Sequence, residues 1–354
     1  MPRLPDGPDG ARVQRVAATL LLALLAALAA QALHVPLPWM IGPLLATGLL
    51  GIAGLPVAGS GRLRNLGQGL IGVALGLYFT PAVVGLLLTL APAVALGVAW
   101  ALLLGYLFYR FLHRANGGDR ASAFFAAAIG GASEMAVLAE RHQGRVDRVA
   151  AAHSLRVLLV VLLIPCGYQL LGVHGADATQ PAVVVVNPAG LLALAATALA
   201  AALALQRLGL PNPWVLGALL VTAVLTARGA TWSALPREAS NAGQLFIGVA
   251  LGTRFTPDFL HAAPRWLASV AVGTLVMMAV SAGFAALLAL WVGQHPATLL
   301  LATAPGGIAE MCITAKVLQL GVPVVTAFHV VRYVAVLTLT APLYRWENAR
   351  HRVA

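Results

Sequence analysis

Charge is the scarcest commodity in this sequence. Asp, Glu, Lys and Arg make up 9% of its 354 residues, where a soluble domain carries roughly 25%. So few charges cannot solvate a surface, which excludes a soluble enzyme and a disordered chain. Lysine is nearly missing: Lys316 stands alone, and every other fixed cation is arginine. Cysteine is confined to Cys166 and Cys312, both in apolar runs, so no disulfide framework exists. Also missing are a Walker loop, Cys-x-x-Cys, His-Glu-x-x-His and Gly-x-Ser-x-Gly. The chain reads as a non-enzyme, with no catalytic residue, cofactor or metal assigned.

What is present is apolar. Hydrophobic residues account for 60% and mean hydropathy is +0.89, so the solvent of this chain is lipid. At about 20 residues per crossing, the length allows roughly 10–12 transmembrane helices. The net charge of +11 sits in short connections: Arg12 and Arg15, Arg62 and Arg64, Arg110–Arg120, Arg141–Arg148 and Arg345–Arg352. That distribution sets topology against anionic lipid and is no sign of nucleic acid. Between Asn65 and Tyr109 there is no charge at all. One helix over that stretch would be about 67 Å long, twice the hydrocarbon core. It must turn, and Thr80-Pro81 and Ala91-Pro92 are where proline breaks the ladder.

The chain is also doubled. Gly67-Gln-Gly-Leu-Ile-Gly-Val-Ala-Leu-Gly-Leu-Tyr-Phe-Thr-Pro81 matches Gly243-Gln-Leu-Phe-Ile-Gly-Val-Ala-Leu-Gly-Thr-Arg-Phe-Thr-Pro257 at 11 of 15 positions, an offset of 176. The same offset carries Gly130-Gly131 to Gly306-Gly307, Glu134 to Glu310, His153 to His329 and Arg156 to Arg332. At 175, Pro38-Trp39 maps to Pro213-Trp214, and Gln31 and Pro36 map to Gln206 and Pro211. The first apolar run, preceded by arginines and followed by Ala29-Ala30-Gln31-Ala32, resembles a cleavable signal peptide. Its internal counterpart argues that it stays.

The organisation that follows is a tail over 1–14, a first repeat over 15–173, a linker over 174–187 containing Asp177, a second repeat over 188–345, and a tail over 346–354. Each half offers five clear apolar spans plus the short Gly67–Pro81 segment or its mate. If that segment is re-entrant, each half crosses five times and the repeats are inverted; if it crosses, they run parallel. The distribution of arginine does not separate these. We take the inverted arrangement, by analogy with duplicated transporters built on interrupted helices. The fold expected is therefore all-α: a polytopic membrane protein with two homologous helical repeats, transporter-like.

Glu134 and Glu310 are the sharpest features, each three residues past a glycine pair inside an apolar segment. A charge at mid-bilayer costs about 2.5–3.5 kcal/mol on insertion scales, so such an acid is partnered, protonated or facing water. Gly130-Gly131 and Gly306-Gly307 are expected to break a helix in two, so that the second half begins at membrane depth with free N–H groups. These six residues are the candidate solute- or ion-binding set; the competing reading is close helix packing with the acid paired to an arginine. His153-x-x-Arg156 and His329-x-x-Arg332 lie at i,i+3 at the start of an apolar span. They read either as a proton-coupling or anion-holding pair, or as arginine reaching headgroups beside a packed histidine. The spaced glycines Gly67, Gly72 and Gly76, with their mates, read as a close-packing face. Gln68 and Gln244 are candidates for polar contacts across the repeats, and Pro38-Trp39 and Pro213-Trp214 for interface anchors. Two Glu and two His do not make a metal centre at this spacing, since Glu134 and His153 lie on different segments.

At the doubled Gly-Gln-x-x-Ile-Gly-x-x-Leu-Gly-x-x-Phe-Thr-Pro and Gly-Gly-x-x-Glu-Met blocks, over roughly 15–345, the chain resembles the AbrB family of bacterial membrane proteins. That family is built of two duplication domains, and its architecture is similar to that of cation–proton antiporters and anion transporters. The resemblance implies a multi-pass protein of the bacterial inner membrane. Members carry labels as regulators of gene expression and as ammonia monooxygenases. The stretches outside the spans are too short to fold a DNA-binding module, and no metal-ligand cluster supports oxidation. The expectation is a proton-coupled secondary transporter of a small solute, anionic in one version. The other reading is a membrane protein that regulates expression through a partner. The bilayer and a small solute are the expected partners, nucleic acid is not, and the sequence admits a homo-oligomer.

Overall fold

The structure, a computed structural model, describes residues 9–117, 119–175, 181–257, 259 and 263–353. Among them are fifteen helices and no strand. The first repeat supplies α1 (Asp9–Ala32), α2 (Pro38–Ile52), α3 (Gly61–Gly76), α4 (Pro81–Thr89), α5 (Ala91–Asn116), α6 (Arg120–Ala127), α7 (Ala132–Arg141) and α8 (Val146–Leu170). The second supplies α9 (Pro188–Arg207), α10 (Pro213–Ala227), α11 (Arg237–Gly252), α12 (Pro264–Val292), α13 (Pro296–Thr303), α14 (Ile308–Val317) and α15 (Val322–Val353). Six of these, α1, α5, α8, α9, α12 and α15, are long and apolar enough to cross a bilayer, and α2 and α10 are shorter apolar helices. Asp177 of the expected linker lies outside the described residues.

Proline sets the boundaries that the sequence led us to expect. Thr80 caps α4, its hydroxyl accepting from the Val83 N–H at 3.3 Å, with Pro81 at the first helical position. Helices α2, α5, α9, α10, α12 and α13 likewise carry proline in their first turn, where a missing donor costs nothing.

The chain forms two compact units, residues 1–77 with 181–262, and residues 78–180 with 263–354. Neither is one repeat. The first unit takes α1, α2 and α3 from one copy and their mates α9, α10 and α11 from the other. The second takes α4–α8 with α12–α15. Each unit is thus built from corresponding parts of both copies.

In the first unit the copies interlock through glycine. A Cβ on Gly72 would lie 2.6 Å from the Val215 carbonyl oxygen, and one on its mate Gly248 would lie 2.5 Å from that of Met40. Gly76 fits against Leu219 and Thr222, and Gly252 against Leu44 and Thr47, again mate for mate. Gly67 and Gly243 face each other's carbonyls on α3 and α11. Bare backbone at these points is what lets the helices approach so closely. Gln68 adds one polar tie between copies, its Nε2 donating to the Asn212 Oδ1 at 3.1 Å. Gln244 is buried.

The direction of the mates fixes how the copies are related. Gly59, just ahead of α3, packs on Thr253 at the far end of α11. Val73 and Leu77, at the end of α3, share an apolar cluster with Leu235, just ahead of α11. The mated helices α3 and α11 therefore run antiparallel. The second unit repeats the lesson: on α5 and α12, Trp100 stacks on Phe284 with centroids 4.3 Å apart, while Phe108 packs on Gly273. Numbering rises on one helix as it falls on the other. The repeats are inverted in both units.

The segment offered as re-entrant, Gly67–Pro81, takes in the second part of α3 and the sharp break that separates it from α4. A chain that doubles back on itself is found at the Gly-Gly segment.

Candidate functional site

Helices α6 and α7 are too short to cross alone, rising about 12 and 15 Å at 1.5 Å per residue. They are not two halves of one broken span either, as the glycine pair had led us to expect. The Arg145 N–H, just past α7, donates to the Ser122 Oγ in the first turn of α6 at 2.6 Å. Gly144 packs against the Ser122 nitrogen and Ala121 Cβ. The start of α6 and the end of α7 thus meet, and the pair is a hairpin with Ala128–Gly131 at its tip. Asp119 secures the mouth, its carboxylate accepting from the Ala121 and Ser122 N–H groups and from the Ser122 hydroxyl. In the second copy Gly321, past α14, packs on Thr298 in the first turn of α13. That is the same hairpin, with its tip at Ala304–Gly307. Entering from a membrane surface, such a hairpin reaches about half the ~30 Å core.

A hairpin tip at that depth leaves orphan backbone groups, which lipid cannot satisfy. The His–Arg pairs answer for the carbonyls. They lie two to three turns into α8 and α15 and are buried, not at the start of a span as the sequence reading had them. The Arg156 Nη1 donates to the Ala126 and Ala127 carbonyls at 3.3 and 3.5 Å, and its Nη2 to that of Ala128 at 3.0 Å. His153 Nε2 meets the Phe125 carbonyl at 3.0 Å, and its Nδ1 meets Arg156 Nη2 at 2.8 Å. Arg332 holds the Ala304 and Gly306 carbonyls at 2.6 and 2.7 Å, while His329 bridges Arg332 and the Leu301 carbonyl, both at 2.8 Å. A guanidinium only donates and a carbonyl only accepts. Each imidazole must therefore accept at Nδ1 and carry its single proton on Nε2, which is the neutral form.

At the opposite face of each tip begins the second helix of the hairpin. Glu134 is the third residue of α7, and Glu310 the third of α14. Each carboxylate folds back over the glycine that precedes its helix, Gly131 or Gly307, so closely that a side chain there would collide with Oε2. This is the position from which an acid complements the positive helix end. Each tip thus carries an arginine at its negative dipole end and a glutamate at its positive one. The backbone break and its charges compensate each other within one copy.

The tips are also covered by the opposite copy. Gly130 and Gly131 pack on Val336 and Tyr333 of α15, and Gly306 packs on Val160 of α8, the mate of Val336. The glycine pairs, glutamates, histidines and arginines named from the sequence are all gathered at these two tips. Sequence reasoning missed Tyr333, whose ring lies against Gly131. Its mate is Val157, so a search for doubled residues passes over it. A tyrosine deep inside an apolar span was the only available signal.

Comparison with known proteins agrees with the doubled motifs. The model for the AbrB family, described as "Transition state regulatory protein AbrB", matches residues 39–348. The chain is 27% identical over 348 residues to "Uncharacterized protein YhjN" of Bacillus subtilis, covering 90% of this chain and 89% of that one. It is 24% identical over 313 residues to "Putative regulator AbrB" of Escherichia coli, covering 88% and 90%. The matched span takes in both hairpins and both His–Arg pairs, and this doubly built membrane protein belongs to the AbrB family.

Proposed function

We propose that the protein is a secondary transporter of the bacterial inner membrane. It carries a small solute with anionic character, coupled to protons through Glu134 and Glu310. The observation that carries this reading is the pair of inverted hairpins with acid-bearing tips. Irregular backbone at membrane depth is tolerated where it lines a cavity or is buried in protein, and paired interruptions in two halves mark a solute site. An ionised Glu134 occupies the positive end of its own helix. A protonated one gives that end up to a solute oxygen, so uptake of an anion and a proton go together. The histidines, held neutral by their partners, support the tips rather than carry the proton.

The test is proton entry into liposomes holding the purified protein and a trapped pH dye, with small anions offered one at a time. One of them drives proton entry in the native protein, and the double variant Glu134→Gln, Glu310→Gln loses it. Unchanged flux in that variant removes the site. A second reading has printed names behind it, that of the Escherichia coli relative and the description of the family model. On that reading the protein regulates expression through a partner, and no anion drives proton entry.

A further inference from the structure

The two tips are mates in sequence but not in surroundings. The Tyr333 hydroxyl is buried, with 8% of the residue exposed, and lies beside the Glu134 carboxylate. Apart from that carboxylate it has no hydrogen-bond partner. Arg156, which caps the same tip, has a buried Nε with no partner. Ser133, at the second position of α7, is exposed. At the second tip the mates of Tyr333 and Ser133 are Val157 and the buried Ala309. A cavity of about 390 Å³ is lined by Ala128 and Ile129 of the first tip together with Val336, Tyr106, Glu347 and Arg350, while Tyr333 and Glu134 are not in its walls.

Buried donors left unpaired cost free energy unless something accepts from them. Here the Tyr333 hydroxyl, with only the Glu134 carboxylate beside it, lies at a helix N-terminus that attracts negative charge. The group already resting there is a carboxylate, that of Glu134 itself. We infer that the first tip alone binds the solute, that the solute is a small carboxylate taking the place of the Glu134 side chain, and that Tyr333 donates to it. This rests on the transport reading for its purpose, but its test does not depend on flux.

With Cys166→Ser and Cys312→Ser as background, Ser133→Cys gives a thiol at the tip of the full-length protein, reconstituted in lipid nanodiscs. Its labelling by a maleimide is timed with and without sodium acetate, and with methylammonium chloride as a cation of similar size. Acetate slows labelling in a saturable way and methylammonium does not. In Tyr333→Phe, which keeps the ring against Gly131, about tenfold more acetate is needed, the effect of one lost bond to a charged group. The matching thiol Ala309→Cys gains no protection. Protection by methylammonium, equal protection in Tyr333→Phe, or no protection by acetate overturns the proposal. Protection without any proton-coupled flux keeps this site and removes the transporter; flux with no protection does the reverse.

Discussion

The two compact units solve opposite problems with the same duplication. In the first unit every helix is continuous, and its buried polar residues are uncharged: Thr19, Thr47, Thr222, Thr226, Ser233, Ser240 and Gln244. Its copies are joined by backbone against backbone at matched glycines. In the second unit the backbone is interrupted twice. There lie the buried Arg156, Glu310 and Arg332 with the neutral His153 and His329 at the two tips, and the buried Glu347 beside Tyr106 near the end of α15. The difference teaches that most of the buried ionisable groups gather where the backbone is broken. Where the ladder is whole, small residues suffice; where it stops, an arginine and a glutamate answer for the loose ends.

The comparison breaks most easily at the arginines. Arg156→Leu removes the donors to three buried carbonyls, each of which costs about 1–3 kcal/mol when left unmet. The expected loss is roughly 3 kcal/mol or more, read as a large drop in the detergent unfolding temperature. Arg156→Lys keeps the charge and restores part of it. In the first unit the sensitive points are glycines. Gly72→Ala puts a methyl against the Val215 carbonyl and is expected to cost about 1–3 kcal/mol by overpacking. Gly69→Ala, on the same helix with nothing within 4 Å, stays within about 0.5 kcal/mol.

Smaller still is the effect expected at histidine. Glutamine can accept from Arg156 and donate to the Phe125 carbonyl as the neutral imidazole does. His153→Gln is therefore expected to lower the unfolding temperature by a few degrees at most and to leave the pH dependence of proton entry unchanged. A shifted pH profile would make His153 a proton carrier and would break the distinction between supporting and working residues. The smallest effect belongs to the tie between copies. Gln68→Ala loses one hydrogen bond to Asn212, worth about 0.5–1.5 kcal/mol, detectable by thermal unfolding.

Much of this was legible without coordinates. The offset of 176 paired the residues that pack as mates, and the glycine spacing on α3 and α11 announced close contact. What escaped was direction. Gly130-Gly131 breaks a helix equally well whether the chain continues or doubles back; the contact between Ser122 and Arg145 decides it, and nothing local encodes that pairing. The His–Arg pairs were visible but not their task, because their partners are backbone carbonyls, to which sequence is blind. Nor does a repeat report who packs with whom, so the exchange of helices between copies into two mixed units had no signal.

The central claim is that the two hairpins enter the membrane from opposite sides. Arg141→Cys and Val317→Cys, matched positions at the ends of α7 and α14, are each made with Cys166 and Cys312 replaced by serine. They are then labelled in oriented membrane vesicles with a membrane-impermeant maleimide. The account predicts that one thiol reacts only from outside the vesicle and the other only when the reagent is admitted to the lumen. Labelling of both from the same side would contradict the inverted arrangement.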